Sequence, residues 1–308
     1  MTHGFLHKFY IKHNQLCKKL LSIFVWSFSA QTRIKMMLEY PYGIKNFRTQ
    51  ERKLKQQNEK QKNFPHFCSI VAIVRNEAIN FPEWIEYHRI IGIDKFYIYD
   101  NESTDNTKDI LQPYIDSGIV EYIYFPGEKM QIPAYTHFIK HFKNETKWAT
   151  TIDLDEFIVS KKQPFLSFLE NQPDTIAQIL VPWVFFGSNG HIKRPNGLVI
   201  ENYTNRAARP RMHKSIFNPR LTISTNVHKH IVVGKTIKPK MTDIMVNHYF
   251  CKSWEDYSKR ATRGDVYRGK EFAQKTFNRE KFDSFDFNDI YDPFILQYVP
   301  EIKKRIKQ

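Results

Sequence analysis

Residues 148–157 read Trp-Ala-Thr-Thr-Ile-Asp-Leu-Asp-Glu-Phe, a β-branched, apolar run that ends in closely spaced carboxylates. Such a run is typical of a buried strand. Alternation along a strand would put Asp153 and Asp155 on one side and Leu154 on the other. Paired carboxylates there suit a hard divalent cation, Mg²⁺ or Mn²⁺, which keeps positions open for phosphate oxygens. The alternative interpretation, usual for an isolated pair, is an acidic cap on the following turn.

The chain before this motif alternates between predicted strands and helices. Strands are predicted at residues 69–74, 95–99, 120–125 and 149–152, and helical patterns separate them. Strands joined by helices predict right-handed crossovers and a Rossmann-like, mostly parallel α/β sheet. Polar, acidic clusters follow the strands at residues 75–77, 100–105 and 153–156. Ligands of such sheets bind beyond the carboxyl ends of the strands, so these clusters predict one site.

The second half of the chain has a different pattern. Strand candidates at residues 179–186, 198–203, 230–233 and 244–250 follow one another without clear helices between them. A helical segment is predicted from Trp254. This half is therefore expected to pair its strands in a mixed or antiparallel manner.

Several motifs occur in an order and spacing that resemble glycosyltransferase family 92 and its family 2-like bacterial relatives. They are CSIVAIVRNE at 68–77, EWIEYH at 83–88, FYIYDNESTD at 96–105, DLDEF at 153–157, Trp183, FGS at 186–188, KSI at 214–216, HY at 248–249 and KS at 252–253. The resemblance covers about residues 67–270. It implies the GT-A fold, in which a nucleotide-binding α/β half joins an acceptor-binding half.

The resemblance also implies chemistry. Similar proteins are inverting enzymes that use a divalent metal and a nucleotide sugar, here Mn²⁺ or Mg²⁺ and a UDP-sugar, with galactose as the expected hexose. Asp155 would be a direct metal ligand, and Asp153 would contact the ribose or the metal. His248 ends a predicted strand and would be a further metal ligand. A hydrogen-bonded core histidine is the alternative for His248.

Other residues would contact the donor. By resemblance Asp100 would face the uridine, and Arg75 and Glu77 would line the same pocket. Lys214, within the family-like Lys-Ser-Ile, would bind the diphosphate. Glu77 could instead complement a helix dipole, and Arg75 could be a solvated surface charge.

The catalytic base is a separate prediction. Inversion needs a carboxylate within hydrogen-bonding reach of the acceptor hydroxyl. We favour Glu156 because it belongs to the motif, although alternation would turn it away from Asp155. Glu255, Asp256 and Glu201 remain alternatives.

Positive charge is concentrated at the ends of the chain. The chain has 308 residues and a formal net charge of +15. Residues 1–65 hold 13 Lys/Arg against 3 Asp/Glu, residues 301–308 hold 4 against 1, and the remainder is close to neutral. We therefore predict a basic extension (1–65), a catalytic domain (66–300, dividing into 66–160 and 161–300) and a basic tail (301–308). Basic ends favour an anionic membrane surface or glycan.

The N-terminal region contains an apolar stretch at residues 20–30, after Lys18 and Lys19. It is too short to span a bilayer, and it resembles a secretion signal only in part. We predict a helix in the membrane interface, with a helix packed on the core as the alternative. The protein would then be cytoplasmic and peripheral to the inner face of the membrane. Residues 50–63 predict a linker or an exposed helix.

Two classes of function remain from the sequence. The first is a metal-dependent glycosyltransferase acting on a glycan or a lipid-linked acceptor such as lipopolysaccharide. The second is a non-catalytic basic module that binds acidic polysaccharide or nucleic acid. The near-neutral core and the retained acidic clusters favour the first class, with no nucleic-acid partner. A nucleotidyltransferase would require a Gly-rich triphosphate loop, which residues 75–78 do not provide.

Overall fold

The computed structural model describes residues 43–307, which fall into two compact units divided after Lys60. In the first unit, helix α1 spans Gly43–Lys60, so most of the polar stretch at 50–63 is helical. The predicted interfacial segment at residues 20–30 lies outside the described residues. Within residues 43–307, no helix is both long and apolar enough to cross a bilayer.

The second unit begins with four strands and their crossover helices. The strands are β1 (His66–Val74), β2 (Lys95–Asp100), β3 (Val120–Tyr124) and β4 (Thr146–Thr151), and the helices are α2 (Phe81–Ile90), α3 (Thr107–Asp116) and α4 (Gln131–Phe142). A 3-10 turn at Ala78–Asn80 precedes α2. Every strand predicted in this half is present.

The rest of the unit contains short strands and helices. The strands are β5 (Glu156–Ser160), β6 (Ile176–Phe185), β7 (Asn205–Arg206), β8 (Met212–Phe217), β9 (Thr222–Ser224), β10 (Ile231–Val232), β11 (Lys235–Ile237), β12 (Ile244–His248) and β13 (Ile290–Tyr291). The helices are α5 (Phe165–Glu170), α6 (Val199–Asn202), α7 (Trp254–Arg263), α8 (Lys270–Thr276), α9 (Arg279–Phe285) and α10 (Val299–Ile306), with 3-10 turns at Pro219–Leu221 and Phe294–Tyr298.

One sheet carries both halves in the order β3-β2-β1-β4-β8-β6-β12-β5, with β11 beside β6. The pairs β3–β2, β2–β1 and β1–β4 are parallel. Strand β8 then runs antiparallel to both β4 and β6, while β12 is parallel to β6 and antiparallel to β5. The predicted α/β architecture of the GT-A type, a parallel half joined to a mixed half, is confirmed.

The predicted strand at residues 198–203 is wrong, because this segment forms the short helix α6. Both carboxylate oxygens of Glu83 accept hydrogen bonds there, from the backbone N–H of Val199 at 2.7 Å and of Ile200 at 2.9 Å. A carboxylate satisfies the free N–H groups at a helix start and complements the helix dipole. Glu83 lies on α2, far away in sequence, so a local pattern does not reveal this cap.

Helix α2 packs against the edge strand β5 through buried aromatic side chains. Trp84 donates from Nε1 to the carbonyl of Glu156 at 2.9 Å, and the Tyr87 hydroxyl donates to the carbonyl of Ile158 at 2.7 Å. Both rings are fully buried. Burying such a side chain contributes roughly 1.5–3 kcal/mol, and the hydrogen bonds also fix the position of β5. This packing sets where the carboxylates before β5 lie.

The buried His88, on the same helix, should make the stability of the fold sensitive to acid. Its Nδ1 lies 2.8 Å from the Trp84 carbonyl, and its ring is fully buried. Burial lowers its pKa from 6.5 to about 3, so the folded state holds the neutral ring while the unfolded chain takes up a proton below pH 6.5. The stability from this group is complete above pH 6.5 and is lost as the pH falls. Between pH 6.5 and 5, we expect the free energy of unfolding to fall by about 1.5 kcal/mol because of this group.

Urea unfolding at both pH values measures this loss. The His88→Gln variant should be less stable at pH 6.5, but its free energy of unfolding should fall by about 1.5 kcal/mol less between pH 6.5 and 5. Equal acid losses in the variant and the unsubstituted protein would contradict the assignment to His88.

Candidate functional site

The DLD motif lies in the turn between β4 and β5. Strand β4 ends at Thr151, and the carbonyl of Asp153 accepts the backbone N–H of Glu156 at 3.0 Å. The strand alternation expected for Asp153 and Asp155 therefore does not apply. Leu154 is nevertheless buried in the core, while the two aspartates face different cationic partners.

Asp155 is a buried carboxylate between two basic side chains. Its Oδ2 accepts from Arg260 at 2.5 Å, and its Oδ1 lies 3.5 Å from His248 Nε2. Burial raises the pKa of Asp155, but His248 and Arg260 outweigh burial and hold that pKa well below its usual range. Asp155 is thus ionised near neutral pH, as a metal ligand must be.

His248 ends β12, directly beside this carboxylate. Its ring stacks on Trp183 at a centroid distance of 4.2 Å. Burial lowers the pKa of His248, although Asp155 partly opposes this change. The neutral imidazole is the form that binds metals. Its Nδ1 is buried without a hydrogen-bond partner among the described residues.

Three side chains converge as a candidate metal centre. Ligand atoms of Asp155, Glu156 and His248 all lie within 4.8 Å of one another, and all three residues are buried. Oε1 of Glu156, like Nδ1 of His248, is buried without a hydrogen-bond partner within the described part of the chain. Two carboxylates and an imidazole are a donor set that suits Mn²⁺ and tolerates Mg²⁺. The residues therefore fit the implied metal, although Glu156 rather than Asp153 completes the group.

Lys214, on β8, joins the motif to the mixed half of the sheet. Its Nζ lies 2.9 Å from Asp153 Oδ2 and 3.0 Å from Glu156 Oε2. Burial alone would lower the pKa of Lys214, but Asp153 and Glu156 raise it above its ordinary value. The side chain of Lys214 is only 1% exposed. In this conformation Lys214 binds the carboxylates of the motif, whereas the sequence predicted a contact with the diphosphate.

Glu156 does not turn away from Asp155, contrary to the alternation argument. Its side chain is 0% exposed, and its Oε2 accepts the backbone N–H of Asp153 at 3.0 Å. Burial raises the pKa of Glu156, while Lys214 opposes this change. The predicted base thus lies beneath the motif, without access to an acceptor hydroxyl in this conformation.

A cavity of about 210 Å³ opens over the candidate metal centre. Arg75 and Glu77 line it together with Asp153, Asp155 and His248. Its other lining residues include Gln131, Trp183, His228, Phe250, Arg260 and residues 264–267. The loop after β1, the DLD turn and the segment after β12 therefore meet at the same edge of the sheet.

Arg75 and Glu77, the residues expected to contact the sugar nucleotide, both have polar partners at the cavity wall. Arg75 donates to the Asn101 carbonyl at 2.6 Å and pairs with Glu102 at 3.0 Å. The side-chain amide of Asn80 donates to Glu77. Arg75 and Glu77 are thus held in place at the cavity wall.

Asp100 is buried outside the lining of this cavity, as far as the described residues go. Its oxygens accept from the Ser103 N–H at 2.9 Å and from the Tyr122 hydroxyl at 2.5 Å. In this structure the carboxylate organises the loop after β2, and its predicted contact with uridine remains a prediction.

The alternative base candidates have local partners. Asp256 accepts from Ser253 at the start of α7 and pairs with Arg194 at 3.2 Å. Glu255 pairs with Lys259, and Glu201 pairs with Lys303 at 2.7 Å. Asp256 and Glu255 thus lie in the first turn of α7, where carboxylates complement the helix dipole. Sequence reasoning missed Arg260, since nothing in the pattern of α7 marks one arginine as a partner of Asp155.

Lys214→Met tests the buried ion-pair network. The change leaves Asp153 and Glu156 without their shared cation, and breaking a buried pair costs about 3–5 kcal/mol. We expect a loss of this size in urea unfolding. Lys275→Met is the control, because Lys275 pairs with Glu271 on the exposed face of α8 and should contribute about 0–0.5 kcal/mol. Equal small losses in both variants would show that the network does not stabilise the fold.

Comparison with known proteins places the chain in a family. The sequence model of glycosyltransferase family 92 matches residues 67–297. A family 92 protein of Oryza sativa subsp. japonica is 30% identical over 206 residues, covering 63% of this chain and 35% of that protein. One of Ricinus communis is 28% identical over 210 residues, covering 65% and 38%. The chain thus spans little more than a third of the length of these relatives.

Solved structures give more distant matches. S. aureus TarS 1–349 aligns with a TM-score of 0.39 at 11% identity, covering 78% of this chain and 71% of that one. GalNAc-T7 with UDP, GalNAc and Mn²⁺ aligns with a TM-score of 0.35 at 12% identity, covering 74% and 59%. The family match over residues 67–297 includes the DLD turn, Lys214 and His248, and the chain belongs to glycosyltransferase family 92.

Proposed function

We propose that this protein is a metal-dependent, inverting glycosyltransferase. It would transfer a hexose, with galactose as the expected sugar, from a UDP-sugar to a glycan or a lipid-linked acceptor such as lipopolysaccharide. The observation that carries the proposal is the convergence of Asp155, Glu156 and His248 beside the cavity. Membership of family 92 supports the reaction class.

The position of these residues agrees with the needs of the reaction. The leaving group is an anionic diphosphate, and a bound divalent cation would stabilise its developing charge as a Lewis acid. Asp155 and His248 would hold the cation, with Glu156 beneath them. Arg75 and Glu77, at the wall of the same cavity, are placed to contact the nucleotide. Lys214 would keep the motif in place from below.

Glu156 has two candidate roles in this reaction, as part of the metal group and as the general base. A general base must reach the hydroxyl from which it takes a proton. Glu156 is fully buried and faces Lys214 and His248, which favours a role in the metal group over the predicted role as base. A base role would require the motif to open when the acceptor binds.

We also propose a location at an anionic membrane surface, with the basic residues 1–65 as the contact. The charge distribution supports this proposal, since residues 1–65 carry 13 Lys/Arg against 3 Asp/Glu. Each basic residue near the membrane surface contributes about 1 kcal/mol to the free energy of binding to anionic lipid. The expected place is the cytoplasmic face of the cell membrane.

Donor use is tested by UDP release from UDP-hexoses with Mn²⁺, after a thermal-shift screen of UDP-, GDP- and CMP-sugars. Asp155→Asn keeps the shape of the side chain and removes its charge, so transfer should fall about 100-fold or more. Asp174→Asn, at an exposed aspartate away from the site, should remain active. Full activity of Asp155→Asn in metal-free buffer would contradict the metal site.

The same assay separates the roles of Glu156. A general base would lose transfer in Glu156→Gln while keeping UDP binding with Mn²⁺. From its burial we expect both to be lost, as for a carboxylate of the metal group. Unchanged transfer would exclude both roles.

Membrane association is tested by cosedimentation of the full-length chain with liposomes. We expect binding to increase with the fraction of anionic lipid and to weaken in high salt, because salt screens exposed charges. Equal binding to neutral and anionic vesicles would rule out an electrostatic contact.

A further inference from the structure

Arg260 is the basic side chain that lies closest to the candidate metal ligands without a role in the proposed reaction. It projects from α7 and donates to Asp155 Oδ2 at 2.5 Å and to the Phe250 carbonyl at 2.9 Å. Its guanidinium also packs on two rings, 4.8 Å from the centre of Phe250 and 5.3 Å from that of Phe277. These contacts fix the guanidinium over one oxygen of Asp155.

The two oxygens of Asp155 have different partners. Oδ2 is bonded to Arg260, whereas Oδ1 faces His248. A divalent cation bound by Asp155 would either displace the guanidinium or lie beside it. Like charges at that distance repel strongly in a partly buried site. Arg260 therefore opposes metal binding as long as it stays on Asp155.

The charges also explain how this opposition could be relieved. Each aspartate of the motif already has its own cation, Lys214 for Asp153 and Arg260 for Asp155. A divalent cation adds two positive charges to these neutral pairs, and a nucleoside diphosphate brings negative charge to balance them. The guanidinium lines the cavity over the metal centre as well as the neighbouring cavity next to Lys252. Arginine binds phosphate oxygens in a bidentate manner.

The geometry points to Arg260 as an exchangeable partner of Asp155 that couples metal binding to donor binding. Before the donor binds, the guanidinium holds Asp155 and weakens its affinity for the metal. The diphosphate of the donor takes over the guanidinium, and Asp155 becomes available to the metal. Metal and nucleoside diphosphate then strengthen each other's binding equally, as linkage requires. This inference rests on the proposed metal-dependent function.

The test is the affinity of the full-length protein for Mn²⁺, measured by calorimetry with and without UDP. In the unsubstituted protein, Mn²⁺ alone should bind weakly and UDP should tighten its binding. Arg260→Met keeps the stem that packs on the rings and removes the guanidinium. We expect this variant to bind Mn²⁺ alone about ten-fold more tightly than the unsubstituted protein. The factor by which UDP increases the affinity for Mn²⁺ should fall about ten-fold.

Lys252→Met is the matched control for loss of one positive charge. Lys252 lines the neighbouring cavity together with Arg260, and its charge acts on Asp155 without a described hydrogen bond to it. Its removal should tighten Mn²⁺ binding only about two-fold, because no ligand atom is released. Thermal unfolding of each variant confirms that the fold persists.

The outcomes separate this inference from the proposed function. If the unsubstituted protein binds no Mn²⁺ even with UDP, the metal-dependent function itself is wrong. If it binds Mn²⁺ with UDP, but Arg260→Met binds Mn²⁺ no more tightly than the unsubstituted protein, only the role of Arg260 is overturned. An equal gain in Arg260→Met and Lys252→Met also overturns it, because general electrostatics would then explain both.

Discussion

The buried pairing of Lys214 with Glu156 is the interaction on which the arrangement of the site depends. Glu156 begins β5, its carbonyl accepts from Trp84, and its carboxylate accepts the backbone N–H of Asp153. Lys214 reaches the same carboxylate from β8, across the sheet. The pair thus joins the parallel half, the mixed half and the DLD turn at one point. The pair thereby helps to fix the turn from which Asp155 projects, while Arg260 holds the Asp155 carboxylate itself.

Such a pairing is costly to assemble, since burying ionised groups requires compensation by close partners. Here the compensation holds functional residues in place. Lys214 balances Asp153 and Glu156, Arg260 balances Asp155, and burial keeps His248 neutral. The site therefore combines the ionised carboxylate of Asp155 with the neutral imidazole of His248, which are the states in which these side chains bind a divalent metal. The same network that stabilises the turn keeps Asp155 ionised.

The sequence predicted the parallel half well, because β-branched runs bounded by turn residues carry their own signal. It also predicted that Arg75, Glu77 and the DLD motif meet, since parallel strands present their carboxyl ends at one edge. The failures have tertiary causes. Glu83 converts residues 198–203 into a helix start, and β4 ends before the motif, so strand alternation does not apply. The partners of Asp155 and Glu156 come from distant segments that no local pattern joins.

A crystal structure of the protein with UDP and Mn²⁺ would show whether Asp155 and His248 bind the metal. We expect Mn²⁺ bound to Asp155 and His248 at about 2.0–2.3 Å, with UDP phosphate oxygens completing its coordination in the cavity. We also expect Lys214 to remain on Asp153 and Glu156. Mn²⁺ bound elsewhere, or UDP seated in this cavity with Asp155 and His248 making no contact to a metal, would contradict the proposed metal site.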